Sequence, residues 1–130
     1  MSRAEEYALI ALAAAARRHA YARYSRFAVG AAIVADDGRT FFGCNIENAS
    51  LGLSLCAERA AIAAGVSAGM TRLGAVVIVT HTAKPVWPCG ACLQWISEFG
   101  PGETEIVSAT VAGTVRRAKL SDLCKEPFTI

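Results

Sequence analysis

Apolar positions along the chain fall into runs of two lengths. The longer one, YALIALAAAA (7–16), follows Ser2 and the acidic pair Glu5-Glu6, and this predicts an Ala-rich amphipathic helix from Ser2 to about Ala20. VGAAIVA (29–35) and LGAVVIVT (73–80) are unbroken apolar runs of strand length, which points to strands covered on both faces. TFFGCNI (40–46) reads as the hairpin partner of the first, because Asp36-Asp37-Gly38-Arg39 between them is a strong turn signal. Helical composition returns at CAERAAIAAGVSAG (56–69), and again from about Cys89 to Phe99, where Gly100-Pro101 stops it. TEIVSATV (104–111) and VRRAKL (115–120) read as two more strands, and Ser121–Lys125 as a short helical piece.

The order αββαβαββα implies an α/β fold, a three-layer α/β/α domain around a mixed five-stranded sheet. No repeat, low-complexity tract or linker interrupts it, so residues 1–130 read as a single domain able to bury an ordinary core. Residues Tyr21–Phe27 form an irregular connection rich in aromatics and arginine.

Composition narrows the partners. Thirteen Lys and Arg against eleven Asp and Glu leave a net charge of +2, too mild for a nucleic-acid or anionic-membrane footprint. The 7–16 run is about half the roughly 20 residues a membrane span needs. Glu5 and Glu6 stand where a signal peptide would be basic. The expectation is a cytoplasmic protein with reduced thiols, in which five cysteines point to metal or chemistry before disulfides.

Two short segments carry that chemistry. Cys56-Ala57-Glu58-Arg59 and Pro88-Cys89-Gly90-Ala91-Cys92 each open a predicted helix. Cys89 and Cys92, at i and i+3, are neighbours on one helix face. Cys56 and Glu58 can both bend around a ligand placed over the end of the other helix. Helix N-termini offer unpaired N–H groups and a positive dipole end, which favour the thiolate that binds metal. Three thiolates suit Zn²⁺, and three protein ligands with an open fourth position are the mark of a catalytic zinc, which brings the pKa of water to roughly 7. A nearby unligated carboxylate, Glu58, can then shuttle protons, and Arg59 can offset the surplus negative charge. Taken singly, these residues have plainer readings: a structural zinc or redox pair for Cys89 and Cys92, a packed thiol for Cys56, a capping carboxylate for Glu58. Cys44 and Cys124 sit at no ligand spacing and read as packing residues. His19 and His81 lack partners at ligand spacing and receive no role.

In these segments the chain resembles the cytidine deaminase family, in its small homotetrameric branch with three cysteine ligands. The likeness runs over nearly the whole chain: Tyr24–Ala32, Asn45–Ser50, CAERAA, PCGAC and Leu123–Phe128 all resemble family segments, in order. It implies Cys56, Cys89 and Cys92 as ligands of one Zn²⁺ per subunit and Glu58 as the proton carrier. It further implies Asn45 and Glu47 at the ribose 3′-hydroxyl, Phe27 along the base and the Ala57 N–H at the base carbonyl. Phe128 would reach into a neighbouring subunit's site, so active sites would be shared. The implied reaction is hydrolytic deamination of cytidine or deoxycytidine to the uridine product and ammonia, in cytoplasmic pyrimidine salvage. Three places depart from the family pattern: Leu93 stands where arginine is usual, Leu51 where an aromatic is common, and the tail, Leu123-Cys124-Lys125-Glu126-Pro127-Phe128, lacks the usual second Leu-Pro and stops two residues later. They leave the chemistry intact and keep open a modified cytosine nucleoside, or a nucleoside antibiotic such as blasticidin S, as the alternative substrate.

Overall fold

The computed structural model describes all 130 residues. Helix α1 (Arg3–Arg17) is followed by strands β1 (Val29–Ala35) and β2 (Thr40–Cys44), helix α2 (Ala57–Ser67), strand β3 (Leu73–Thr80), helix α3 (Gly90–Phe99), strands β4 (Glu105–Thr110) and β5 (Val115–Lys119), and helix α4 (Leu120–Leu123). The expected order is observed, with one addition, a single 3₁₀ turn at Leu51–Leu53. The Ser2 side chain accepts from the Glu5 N–H while Glu5 reaches back to the Ser2 N–H, a reciprocal cap that fixes the start of α1. That helix stops at Arg17, short of Ala20. The second strand stops at Cys44, short of Ile46, because Ile46 leaves the hairpin and makes single bridges to Tyr21 and Leu55.

The five strands lie in the order β2-β1-β3-β4-β5, antiparallel throughout except for the parallel pair β3–β4. That sheet is mixed, as the sequence pattern implies. Side-chain alternation explains the apolar runs. Ala32, Val77, Val79, Val107 and Ala109 meet Leu9 and Ala13 of α1 on one face. Ala31, Ile33, Val76, Ile78 and Ile106 meet Ala57, Ala61 and Ile62 of α2 and Ile96 of α3 on the other. Both faces are covered, giving the three layers.

Close approach of α2 to the sheet depends on Gly43. A Cβ there would stand 2.5 Å from the Ala61 nitrogen and 2.9 Å from the Ala57 carbonyl oxygen, so the first turn of α2 lies directly over β2. Because both atoms are helix backbone, neither can step aside. Gly43→Ala is expected to destabilise the fold by about 1–3 kcal/mol and to displace the start of α2. A thermal melt within a degree of wild type would contradict this.

Candidate active site

The cysteines occupy equivalent places on two helices. Cys56 is the N-cap of α2 and Cys89 the N-cap of α3, both with extended backbone. Neither side chain bonds back to its own helix, so both thiols are free of the usual capping duty and turn to each other. Cys92 lies in the first turn of α3 and is fully buried. The three Sγ atoms fall within 4.8 Å of one another, with Cys56 and Cys89 3.8 Å apart. Sulfurs about 2.3 Å from one tetrahedral Zn²⁺ lie about 3.8 Å from each other. The donor set therefore fits zinc in kind and in spacing.

Charge at this point is shared out rather than left uniform. A hydrogen bond from the Cys92 thiol, with Arg59 behind it, lowers the Cys56 thiol to about 5. Cys92 is pushed up by holding the proton against Cys56 and by burial. Arg59 Nη2 stands 3.3 Å from Cys56 Sγ, and this contact raises the guanidinium's own pKa. Its Nε is buried with no hydrogen-bond partner, a desolvation cost borne beside the thiolates. Arg59 thus supplies a cation beside the metal segment, where Leu93 supplies none. Leu93 is half-buried and packs on the core shared by α2 and α3.

Glu58 follows two residues after Cys56 and is 5% exposed. Burial, with the Cys56 charge as a lesser cause, raises its carboxyl above the ordinary range. Glu58 lines a cleft of about 190 Å³ together with Phe27, Asn45, Cys56, Ala57 and Cys89. Ala57 is the first residue of α2, so its N–H has no partner within the helix. A larger cavity of about 530 Å³ between α1 and the β1–β2 turn contains none of these residues.

Six expected site residues therefore meet in one cleft, with Cys92 and Arg59 against its thiols. Glu47 and Phe128 do not line it. Glu47 accepts from the N–H groups of Tyr24 and Ser25 and from the Ser25 hydroxyl, contacts that hold its carboxylate below the usual range. Asn45 accepts from the Val29 N–H at 2.8 Å and donates to the Phe27 carbonyl at 2.7 Å. Both side chains thus build the connection that presents Phe27. Phe128 is 74% exposed, and Gln94 of α3 grips its backbone, donating to the carbonyl and accepting from the N–H. Val29, Ile78, Thr80, Val86 and Trp87 also line the cleft and carry no sequence signature of doing so. The only hint was position: Val86 and Trp87 directly precede Pro88-Cys89.

Comparison with known proteins places this geometry. Residues 1–108 match the family model described as the cytidine and deoxycytidylate deaminase zinc-binding region. The cytidine deaminase of Halalkalibacterium halodurans is 43% identical over 121 residues, 93% of this chain and 92% of the relative. That of Mycobacterium tuberculosis is 45% identical over 109 residues, 84% of this chain and 78% of the relative. The crystal structure of cytidine deaminase from Burkholderia pseudomallei superposes with a TM-score of 0.91 at 45% identity, covering 98% of this chain and 100% of that one.

The thiol chemistry is directly measurable. In chelator-stripped protein, alkylation of Cys56 is expected to plateau above neutral pH and to fall as pH drops through about 5, with Cys92 unreactive. The sign follows from the lowered pKa: the thiolate persists above it and is protonated below it. Adding one equivalent of zinc is expected to block the reaction; unprotected Cys56 at full zinc occupancy would remove it from the ligand set.

Proposed function

The chain belongs to the cytidine and deoxycytidylate deaminase family, and from that premise we propose that it hydrolyses cytidine and deoxycytidine to uridine and deoxyuridine, releasing ammonia. The observation that supports this best is the convergence of Cys56, Cys89 and Cys92 at zinc spacing beside a buried Glu58. Zinc, when bound, supplies an acidified water at neutral pH. Cys56, Cys89 and Cys92 hold the metal, and Arg59 offsets the net −1 of three thiolates on Zn²⁺.

Glu58 accepts a proton from the attacking water and passes it to ring N3. It then assists proton delivery to the departing amino group, so one water enters and one ammonia leaves. The Ala57 N–H holds the base carbonyl, and Phe27 packs along the ring. Asn45 and Glu47 bind the ribose hydroxyl with what their loop contacts leave unused, a second amide N–H and the remaining carboxylate lone pairs. Relatives named for cytidine favour the plain nucleoside over a modified one.

The active unit is a homotetramer in which Phe128 of one copy completes the site of another. Support comes from the cleft, which is smaller than the roughly 300 Å³ at which ligand pockets usually begin. Phe128, Leu51 at 73% and Leu53 at 72% exposure also offer apolar surface suited to a second copy. The 130 residues act as one domain. A cytoplasmic role in pyrimidine salvage is in keeping with five free thiols and a nucleoside substrate; no helix is long and apolar enough to cross a membrane.

A panel of cytosine, adenine and guanine nucleosides, followed by mass, tests the reading: cytidine and deoxycytidine should each exchange NH₂ for OH. Glu58→Gln with full zinc content is expected to lose about 10²–10⁴-fold in kcat. Deamination at the wild-type rate by that variant would sink the role given to Glu58.

A further inference from the structure

The residues lining the cleft come from both sides of the central strand β3. Phe27, Val29 and Asn45 belong to the β1–β2 side; Val86 and Trp87 belong to the segment that leads from β3 to α3. That segment has no helix or strand of its own to hold it. Trp87 packs on the core, and two side chains from the β4–β5 side of the sheet hold the segment further. Ser108 of β4, fully buried, donates its hydroxyl to the Val86 carbonyl at 2.5 Å. Arg116 of β5 lays its guanidinium 4.8 Å from the centre of the Trp87 ring. Ser108 and Arg116 stand directly opposite each other in the β4–β5 register, so their side chains share one face. It is the face of Ile106, which packs with α2 and α3.

We propose that Val86–Trp87 is a specificity-determining wall limiting what a cytosine ring can bear, and that Arg116 is the positioning residue that holds it through the indole. This rests on the deaminase reading above. The physical reason lies in what can yield. Val29, Ile78 and Thr80 are fixed in the sheet and Ala57 by its helix, whereas Val86–Trp87 lies in irregular chain, held by the Ser108 and Arg116 contacts and by the packing of Trp87 on the core. Phe27 is the other lining residue on irregular chain, and its segment is tied down by Asn45 and Glu47, so a ring substituent facing Val86–Trp87 is accommodated or refused by this wall.

The test compares kcat and KM for cytidine and 5-methylcytidine in wild type, Trp87→Ala, Arg116→Ala, Arg116→Lys and the Trp87→Ala/Arg116→Ala double variant, all at full zinc content. Trp87→Ala is expected to raise the 5-methylcytidine-to-cytidine ratio of kcat/KM about tenfold, the scale of one methyl group in an apolar site. Arg116→Ala should raise it about two- to fivefold, mainly through KM, as loss of one exposed cation–π contact would. Arg116→Lys keeps the cation and should keep the ratio, and the double variant should match Trp87→Ala alone. Arg116 is exposed, so its replacement leaves the core intact; Trp87→Phe substitutes for the alanine variant if that one does not fold. An unchanged ratio in the Trp87 variant, or an Arg116 effect that persists in full without Trp87, overturns the proposal. Wild type that deaminates neither nucleoside overturns the deaminase reading instead.

Discussion

Three sulfurs within 4.8 Å repel one another as thiolates, and that repulsion is the constraint around which the site is built. Bringing two helices together by their N-termini is itself unfavourable, since like dipole ends face each other. Each problem offsets the other: the positive helix ends meet negative sulfur, and the sulfur lies where unpaired N–H groups point. Arg59 adds a full charge at 3.3 Å, and the Cys92 proton removes one sulfur's charge until a metal does so. Gly43 is needed because α2 must come down onto β2 for its N-terminus to arrive at the right height.

The cleft opens at the carboxyl end of β3, the place where α/β sheets characteristically leave a crevice between strand ends and helix starts. Polar side chains in it and beside it do structural work on the surrounding loops. Asn45 and Glu47, seen simply as ligand contacts, would be idle without substrate. Here they satisfy four backbone N–H and carbonyl groups of the Tyr21–Val29 segment, which has little regular structure to satisfy them. In the role proposed above, substrate contact would use what loop construction leaves free, the second N–H of the Asn45 amide and the remaining lone pairs of the Glu47 carboxylate.

The legible parts of the fold were those with a periodic or terminal signal. Val29–Ala35 and Leu73–Thr80 have their full observed lengths as unbroken apolar runs, and Gly100-Pro101 marks the end of α3. Helix α1 was overrun because Ala16-Arg17-Arg18-His19-Ala20 contains no glycine or proline to stop it; tertiary contacts do, with Arg17 donating to the Ala28 carbonyl. The cysteines and Glu58 were legible from spacing, since short-range spacing on a helix start determines direction. The second duty of Asn45 and Glu47 was not, and neither was the Ser108–Val86 contact. Both are side-chain-to-backbone bonds between residues about twenty apart, which leave no mark on local pattern.

Helix α3 joins two functions on one short rod. Its first turn holds Cys92, and two residues later Gln94 holds the backbone of Phe128 from both sides. A rotation of this helix that loosened its sulfur would carry the tail with it. In the assembly proposed above, that tail belongs to another copy's pocket. Metal occupancy and quaternary fit would then be mechanically linked, so a subunit that lost its ion would announce the loss to its neighbour through a misplaced aromatic ring.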